Sequence, residues 1–238
     1  MKILTAEFVT SAAAGGRADG IPRDGRPQIA LAGRSNVGKS TLINALCRKK
    51  IARTSAAPGK TRLANVYRVN LEGGGGPGRW EMYLIDLPGY GYARGGAESA
   101  QELAAVAEAY FASVARDFSP ASGASGVSST LLLIDSRHPG LAADTHAHEW
   151  LMRAGTSPHI IGTKVDKLSR AERARNLKAL QKVFGTAALP VSALTGEGLD
   201  DLWKLIVGQR RTQKHTDPER ADPGNTDPEN TDKTEEKR

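Results

Sequence analysis

Cysteine is nearly missing from this chain: Cys47 is the only one in 238 residues, so no disulfide can form within it. It sits in Leu42-Ile43-Asn44-Ala45-Leu46-Cys47, an apolar setting expected of a buried helix residue. Also lacking is any apolar run approaching the length of a membrane span. The opening MKILTAEFVTSAAA has the outward look of a signal peptide, but Glu7 interrupts its apolar stretch and only Lys2 precedes it. These absences argue against a disulfide scaffold and a membrane-spanning helical protein, and point to the cytoplasm with no membrane partner. Residues 209–238 lack aromatic and large aliphatic side chains and repeat Thr216-Asp217-Pro218-Glu219 at Thr226-Asp227-Pro228-Glu229. Such a segment cannot bury enough apolar surface to offset its ordering entropy, so it is predicted to be a disordered tail.

What is present fits an ordinary soluble domain: 39% hydrophobic and 25% charged residues, in a length that can bury a good core. The net charge of +7 is uneven. Residues 209–238 hold seven Lys/Arg and eight Asp/Glu, so the tail carries −1 and the rest +8. A basic folded domain points to an anionic partner, with RNA the natural one; plain solubility charge is the other reading.

One stretch dominates. The strand-like Ile29–Ala32 runs into Gly33-Arg34-Ser35-Asn36-Val37-Gly38-Lys39-Ser40, which reads G-x-x-x-x-G-K-S, and an amphipathic helical stretch follows. This is the phosphate-binding loop. Its glycines bring backbone N–H groups toward the ligand, and the helix start adds its unpaired N–H groups and positive dipole end. Lys39 supplies a mobile cation for the β- and γ-phosphates, and Ser40 a hydroxyl for Mg²⁺.

Apolar strands alternate with helical stretches through the core. Strands are predicted at Ile29–Ala32, Asn65–Leu71, Met82–Ile85, Leu131–Ile134, His159–Gly162 and Leu189–Val191. Helices are predicted at about Ser40–Lys49, Ala97–Ala115, Asp144–Ala154, Ser169–Phe184 and Gly198–Val207. The pattern gives an α/β fold in three layers, a mostly parallel six-stranded sheet with helices on both faces. Residues 1–27 read as a lead-in with a first strand near Glu7–Thr10, 28–208 as the nucleotide domain and 209–238 as the tail. Ser169-Arg170-Ala171-Glu172 is a capping-box pattern, with Gly185 as the stop. Two glycine-rich stretches, Glu72–Gly78 and Ser119–Ser129, read as flexible loops.

Three later segments choose the nucleotide. Asp86 ends the strand in Asp86-Leu87-Pro88-Gly89, placed to hold Mg²⁺ through water, with the Gly89 N–H toward the γ-phosphate. Asp166 in Thr163-Lys164-Val165-Asp166 can accept two hydrogen bonds from guanine, a pair adenine cannot supply, while the Lys164 stem covers the base plane. The usual first residue of this motif is Asn; here it is Thr163. Backbone N–H groups of Val191-Ser192-Ala193 are candidate donors to the guanine O6. Thr61, in Gly59-Lys60-Thr61-Arg62, is a candidate second Mg²⁺ ligand whose loop would be held by γ-phosphate and released after hydrolysis.

GRSNVGKSTLINAL, ARTSAAPGKTR, DLPGYGYA, DSRHP and TKVDKLS stand in one order. In these motifs the chain resembles the EngB (YihA/YsxC) family of bacterial GTPases, of the TrmE-Era-EngA-EngB-Septin-like P-loop class, over about residues 6–207. The family commonly has TKAD where TKVD stands here. The resemblance implies GTP and GDP contacts at residues 33–40, at Gly59, Lys60, Thr61, Arg62 and Leu63, at residues 86–89, at residues 163–166 and at residues 191–193. It implies Mg²⁺ at Ser40 and Thr61. It also implies a partner in the large ribosomal subunit or its rRNA, a part in that subunit's maturation, and an association with normal cell division and septation.

The expected reaction is GTP hydrolysis to GDP and phosphate, with Lys39, Thr61 and Gly89 as the candidate catalytic set. Tyr90 follows Gly89 where many GTPases carry the Gln that orients water, so slow intrinsic turnover with stimulation by a partner is expected. Some related GTPases with Asn at the place of Asn36 bind K⁺ there; the other reading is that Asn36 only shapes the loop. Two rival functions stand beside the switch: a GTP-regulated RNA-binding module in which hydrolysis is incidental, and a P-loop kinase or ATPase, which Asp166 disfavours. Arg170, Arg173, Arg175, Lys178 and Lys182 face one acid, Glu172, on a single helix, either a solvated face or a phosphate-contacting one.

Overall fold

The computed structural model describes residues 1–12, 20–53, 63–74, 78–90, 105–112 and 127–214. Its strands are β1 (Lys2–Ala12), β2 (Gln28–Gly33), β3 (Ala64–Glu72), β4 (Arg79–Asp86), β5 (Val127–Asp135), β6 (His159–Thr163) and β7 (Leu189–Pro190). The helices are α1 (Lys39–Cys47), α2 (residues 105–112), α3 (Ala142–Arg153), α4 (Arg170–Phe184) and α5 (Leu199–Lys214).

The strands form one sheet in the order β1-β3-β4-β2-β5-β6-β7. From β4 to β7 every neighbouring pair is parallel, while β1 with β3 and β3 with β4 are antiparallel. The α/β class is as expected, but the sheet has seven strands rather than six. The extra one is β1, longer than the stretch expected near Glu7–Thr10 and built into the sheet rather than lying in a lead-in. Its pairing with β3 has irregularities between Ile3 and Thr5 and between Phe8 and Thr10. As an edge strand it buries only Ala6 and Ala12, so its apolar alternation is too weak to read.

Alternation through the central strands builds two cores. Ile29, Leu31, Leu84, Leu131 and Leu133 pack on one face with Leu42, Ile43 and Leu46 of α1 and Leu202 and Ile206 of α5. Ala30, Ile85, Leu132 and Ile134 pack on the other with Tyr110 and Phe111 of α2, Leu151 of α3 and Leu180 of α4. Strands buried on both faces read as continuous apolar runs, as LLLI does here. Cys47 is buried in the first core, and burial pushes its thiol up to about 12.

Local signals set the helix ends. Ser169 and Glu172 form the capping box, and Gly185 closes α4 in the left-handed region at φ 72°. Helix α5 runs to Lys214, six residues beyond the tail boundary expected after Gly208. Asp200 and Asp201 in its first turn favour the positive helix end. The loop at 119–126 and residues 215–238 lie outside the described residues. No helix among the described residues is long and apolar enough to cross a membrane.

Candidate nucleotide site at the carboxyl edge of the sheet

Because β2, β4, β5, β6 and β7 run the same way, their carboxyl ends lie along one edge, where α/β sheets take their ligands. The antiparallel register opposite Asn65 and Asp86 brings the amino end of β3, preceded by the exposed Leu63, to the same edge. Gly59, Lys60, Thr61 and Arg62 lie outside the described residues.

The phosphate loop joins β2 to α1. Gly38 turns into the helix at φ 110°, and no side chain caps α1. The first-turn N–H groups are therefore not taken by a side-chain cap, and no acid stands there to repel an anion. Lys39 is buried, its ammonium donating to the Gly33 carbonyl at 2.8 Å and the Arg34 carbonyl at 3.3 Å. Burial lowers its pKa, and the nearby Asp86 carboxylate opposes that.

Asp86 ends β4 almost wholly buried. Its Oδ2 accepts from Ser40 Oγ at 2.9 Å, while its Oδ1 is buried with no hydrogen-bond partner among the described residues. Burial raises the Asp86 pKa against the pull of Lys39 and Ser40. An orphaned carboxylate oxygen beside a hydroxyl suits a hard cation with oxygen ligands, so this pair fits Mg²⁺.

Leu87, Pro88 and Gly89 then run against the phosphate loop. Leu87 N–H donates to the Leu31 carbonyl at 3.1 Å and Ser35 N–H to the Tyr90 carbonyl at 3.0 Å. A Cβ on Gly89 would lie 2.8 Å from the Ser35 Cα, a distance no side chain tolerates. Tyr90 Oη donates to Asp144 Oδ1 at 2.9 Å. Arg34 Nε reaches both oxygens of the same carboxylate, at 3.0 and 3.2 Å. Asp144 is fully buried in the first turn of α3. Burial pushes its carboxyl up against the pull of Arg34 and Tyr90, and burial beside Asp144 pushes the Tyr90 phenol well above its usual range. One carboxylate of α3 thus holds the phosphate loop and the residue after Gly89 together.

At the end of β6, Thr163 Oγ1 lies 3.0 Å from the Val37 carbonyl and 3.1 Å from the Ile134 carbonyl. Its hydroxyl braces the phosphate loop against β5. Lys164, left-handed at φ 59°, donates to the Asn36 carbonyl at 2.7 Å and to Asp135 Oδ2 at 3.0 Å. Arg137 grips Asp135 with Nε at 2.9 Å and Nη2 at 2.7 Å. Burial alone would raise the Asp135 carboxyl; Arg137 and Lys164 outweigh it and hold it well below the usual carboxylate range. Asn36 is itself left-handed at φ 63°, a conformation Asn tolerates better than most residues.

Asp166 lies in the short turn Val165–Lys167, its Oδ1 accepting from the fully buried Ser192 hydroxyl at 2.7 Å. That contact fixes the carboxylate expected to read guanine. The three N–H groups expected to meet O6 fare differently. Val191 N–H donates to the Gly162 carbonyl and Ser192 N–H to the Glu197 carbonyl, which leaves the Ala193 N–H for a ligand. Sheet pairing and the tight 192–197 turn take the other two.

The sequence reading missed Asp135, Asp144 and the Ser192 side chain. Asp135 opens the DSRHP motif and Asp144 sits near a helix start; neither spacing shows which loop its carboxylate will meet.

Residues 28–164 match the family model described as 50S ribosome-binding GTPase. The chain is 40% identical over 211 residues to the probable GTP-binding protein EngB of Pelotomaculum thermopropionicum, covering 87% of this chain and 96% of that protein. It is 38% identical over 214 residues to the protein of the same name from Clostridioides difficile, covering 88% and 95%. Among solved structures it is similar to Aquifex aeolicus Era bound to GDP.AlF4-, with TM-score 0.61 and 22% identity over 76% of this chain and 56% of that one. Era in complex with MgGDPNP and nucleotides 1506–1542 of 16S ribosomal RNA matches with the same TM-score and identity, over 77% and 56%. At that identity the two Era structures speak for the fold.

Proposed function

The chain belongs to the EngB family of GTP-binding proteins and is a GTPase, and from that membership we propose that it is a GTP-driven switch in assembly of the large ribosomal subunit, serving normal cell division and septation. The observation that carries the nucleotide assignment is the meeting at one sheet edge of the Lys39 ammonium, the Ser40–Asp86 pair and Asp166 oriented by Ser192. The ribosomal part rests on the 50S ribosome-binding description of the matching family and on the basic charge of the chain.

In this reading Lys39 leaves the loop carbonyls for the β- and γ-phosphates, while the loop N–H groups and the start of α1 hold the remaining phosphate charge. Asp166 accepts the guanine N–H groups, and the Ala193 N–H meets O6. Ser40 and Asp86 would hold Mg²⁺, Asp86 through water, with Thr61 as a second ligand. When bound, that ion neutralises charge gathering on the phosphoryl oxygens. Water attacks the γ-phosphorus, and GDP and phosphate leave. Tyr90 has its hydroxyl committed to Asp144, so the side chain after Gly89 does not orient that water, and turnover is slow until a partner completes the site.

The test is sedimentation of the purified protein with large subunits. Binding should be strong with a non-hydrolysable GTP analogue and weak with GDP; binding that ignores the nucleotide would remove the switch. Lys39→Ala should weaken GTP binding by about a hundredfold or more, since it removes the ammonium that meets the β- and γ-phosphates. Equal hydrolysis rates in KCl and NaCl would assign Asn36 to loop shape alone. The exposed cations of α4 favour the second reading, a GTP-regulated RNA-binding module. A hydrolysis-deficient Thr61→Ala protein that still supports assembly would decide for it.

A further inference from the structure

Beside the phosphate loop lies a groove of about 220 Å³ whose loop side belongs to residues assigned to the nucleotide, while Asp135, Arg137 and His138 of its lining have no part in that reading. Ser35 and Asn36 of the loop, Arg137 and His138 of the turn after β5, and Lys164 are among the residues that line it; neither Lys39 nor Ser40 does. We propose that this groove binds a backbone phosphate of RNA, anchored by Arg137, and reports its occupancy to the nucleotide site. The proposal rests on the reading that large-subunit RNA is the partner.

Charge favours an anion there. Arg34, also at the groove, is matched by Asp144. Arg137 and Lys164 share the carboxylate of Asp135, and Asp166, which also acts on Arg137, is paired with Lys167, so one positive charge is left over. The grip on Asp135 uses the Nε and Nη2 side of the guanidinium. The Nη1 edge is a second fork of donors, the geometry that takes a phosphate through two parallel hydrogen bonds. Arg137 has a relative side-chain exposure of 41%, so the side chain is open to a ligand while Asp135 holds its Nε and Nη2.

The surroundings favour a chain of phosphates over a free ion. Asn176 Nδ2 donates to the Ser136 carbonyl at 2.8 Å, fastening α4 one residue from Arg137. The outer face of α4 exposes Arg170, Arg175, Lys178 and Lys182, and its one acid, Glu172, is tied to Ser169 in the capping box. A polyanion can follow that row and place one phosphate in the groove; a lone phosphate ion has no use for it.

The link to the nucleotide is direct contact. Asp135 Oδ2 accepts from Lys164, and Lys164 donates in turn to the Asn36 carbonyl of the phosphate loop. A phosphate drawing on Arg137 changes how Asp135 holds Lys164, and by linkage the nucleotide changes the groove's affinity by the same factor.

The experiment uses the full chain and protein-free large-subunit RNA, with affinity measured against salt and with each nucleotide. Arg137→Ala should weaken RNA binding about tenfold at low salt and lower the log–log salt slope by about one. Lys204→Ala, which removes an exposed cation on α5, should do neither. RNA should change GTP-analogue affinity of the unmodified protein by about fivefold or more, and Arg137→Ala should abolish that change. Arg137→Lys should keep the salt slope and lose most of the affinity, because it keeps the charge without the fork. Nucleotide binding without RNA and the melting temperature report whether the variants are folded. Equal behaviour of Arg137→Ala and Lys204→Ala overturns the groove. So does inorganic phosphate that binds the unmodified protein but not Arg137→Ala while RNA binds the two equally, since that marks a free-anion site. Failure of the unmodified protein to bind large subunits removes the proposed function and this inference together; binding to subunits but not to their RNA removes only this inference.

Discussion

Tyr90 occupies the place where a water-orienting Gln would stand, and its hydroxyl points to a buried carboxylate instead. Its carbonyl also accepts from Ser35, beside the close packing of Gly89 on the loop. Tyr90→Phe removes only the hydroxyl. The expected result is a fall of about tenfold in GTP-analogue affinity with GDP affinity unchanged, from losing one hydrogen bond to a charged group that steadies Gly89. Fluorescent nucleotide titrations check this; equal losses for both nucleotides would reduce Tyr90 to fold support. Asp144→Asn should lower the melting temperature more than Tyr90→Phe, because it also strips Arg34 of its charge partner. Cys47 gives a separate residue-scale prediction. With its thiol buried and pushed up to about 12, it should resist a thiol reagent at pH 8 in the native protein and react fully in denaturant. Fast native labelling would contradict its place in the core.

Helices α1 and α4 begin in opposite ways, and the difference follows their work. Helix α4 has both halves of a capping box, so its end N–H groups are satisfied by its own side chains. Helix α1 has no side-chain cap and starts from a left-handed glycine, which suits a helix whose cap is a ligand. Ser169→Ala should cost about 1 kcal/mol and lower the melting temperature by about 2–4 °C for a domain of this size. GTP binding should be unchanged, since α4 contributes no side chain to the phosphate loop; calorimetry with and without nucleotide measures both. These elements were legible in the sequence to different degrees. The capping box and the phosphate loop are local patterns a few residues long, so they could be read directly. Strand β1 could not, because an edge strand needs few buried side chains and its pairing partner β3 stands some sixty positions away in the pattern. Helix α5 runs past Gly208 because helical propensity does not end where apolar periodicity does.

At the scale of the molecule, stability rests on the two faces of the central strands and on a few buried charges. Leu84→Ala, in the first core, should cost about 2–5 kcal/mol, the range for an aliphatic side chain removed from a packed interior; denaturant titration measures it. Asp135 gives the acid limb its sign. Its native pKa is depressed below the unfolded value of about 3.9, so the unfolded chain binds the proton first as pH falls. Its contribution is present in full above about pH 4 and is lost as pH drops through the native value. Asp135→Asn should therefore be less stable at neutral pH and show a flatter fall in melting temperature between about pH 4 and pH 2. Parallel curves for the two proteins would show that Arg137 and Lys164 do not stabilise the ionised carboxylate.

The sequence by itself determined the α/β class, the phosphate loop at residues 33–40, and the order of the segments expected to meet a guanine nucleotide. Those features are local: strand periodicity, glycines beside a lysine, and carboxylates at strand ends are written within a few residues of one another. Only the tertiary structure decided which carboxylate serves which partner. Asp144 meets Arg34 and Tyr90, and Asp135 meets Arg137 and Lys164, because the parallel sheet brings the ends of β2, β4, β5 and β6 to one edge. A buried charge takes the partners that the fold places within hydrogen-bond reach, and chain spacing does not encode that reach.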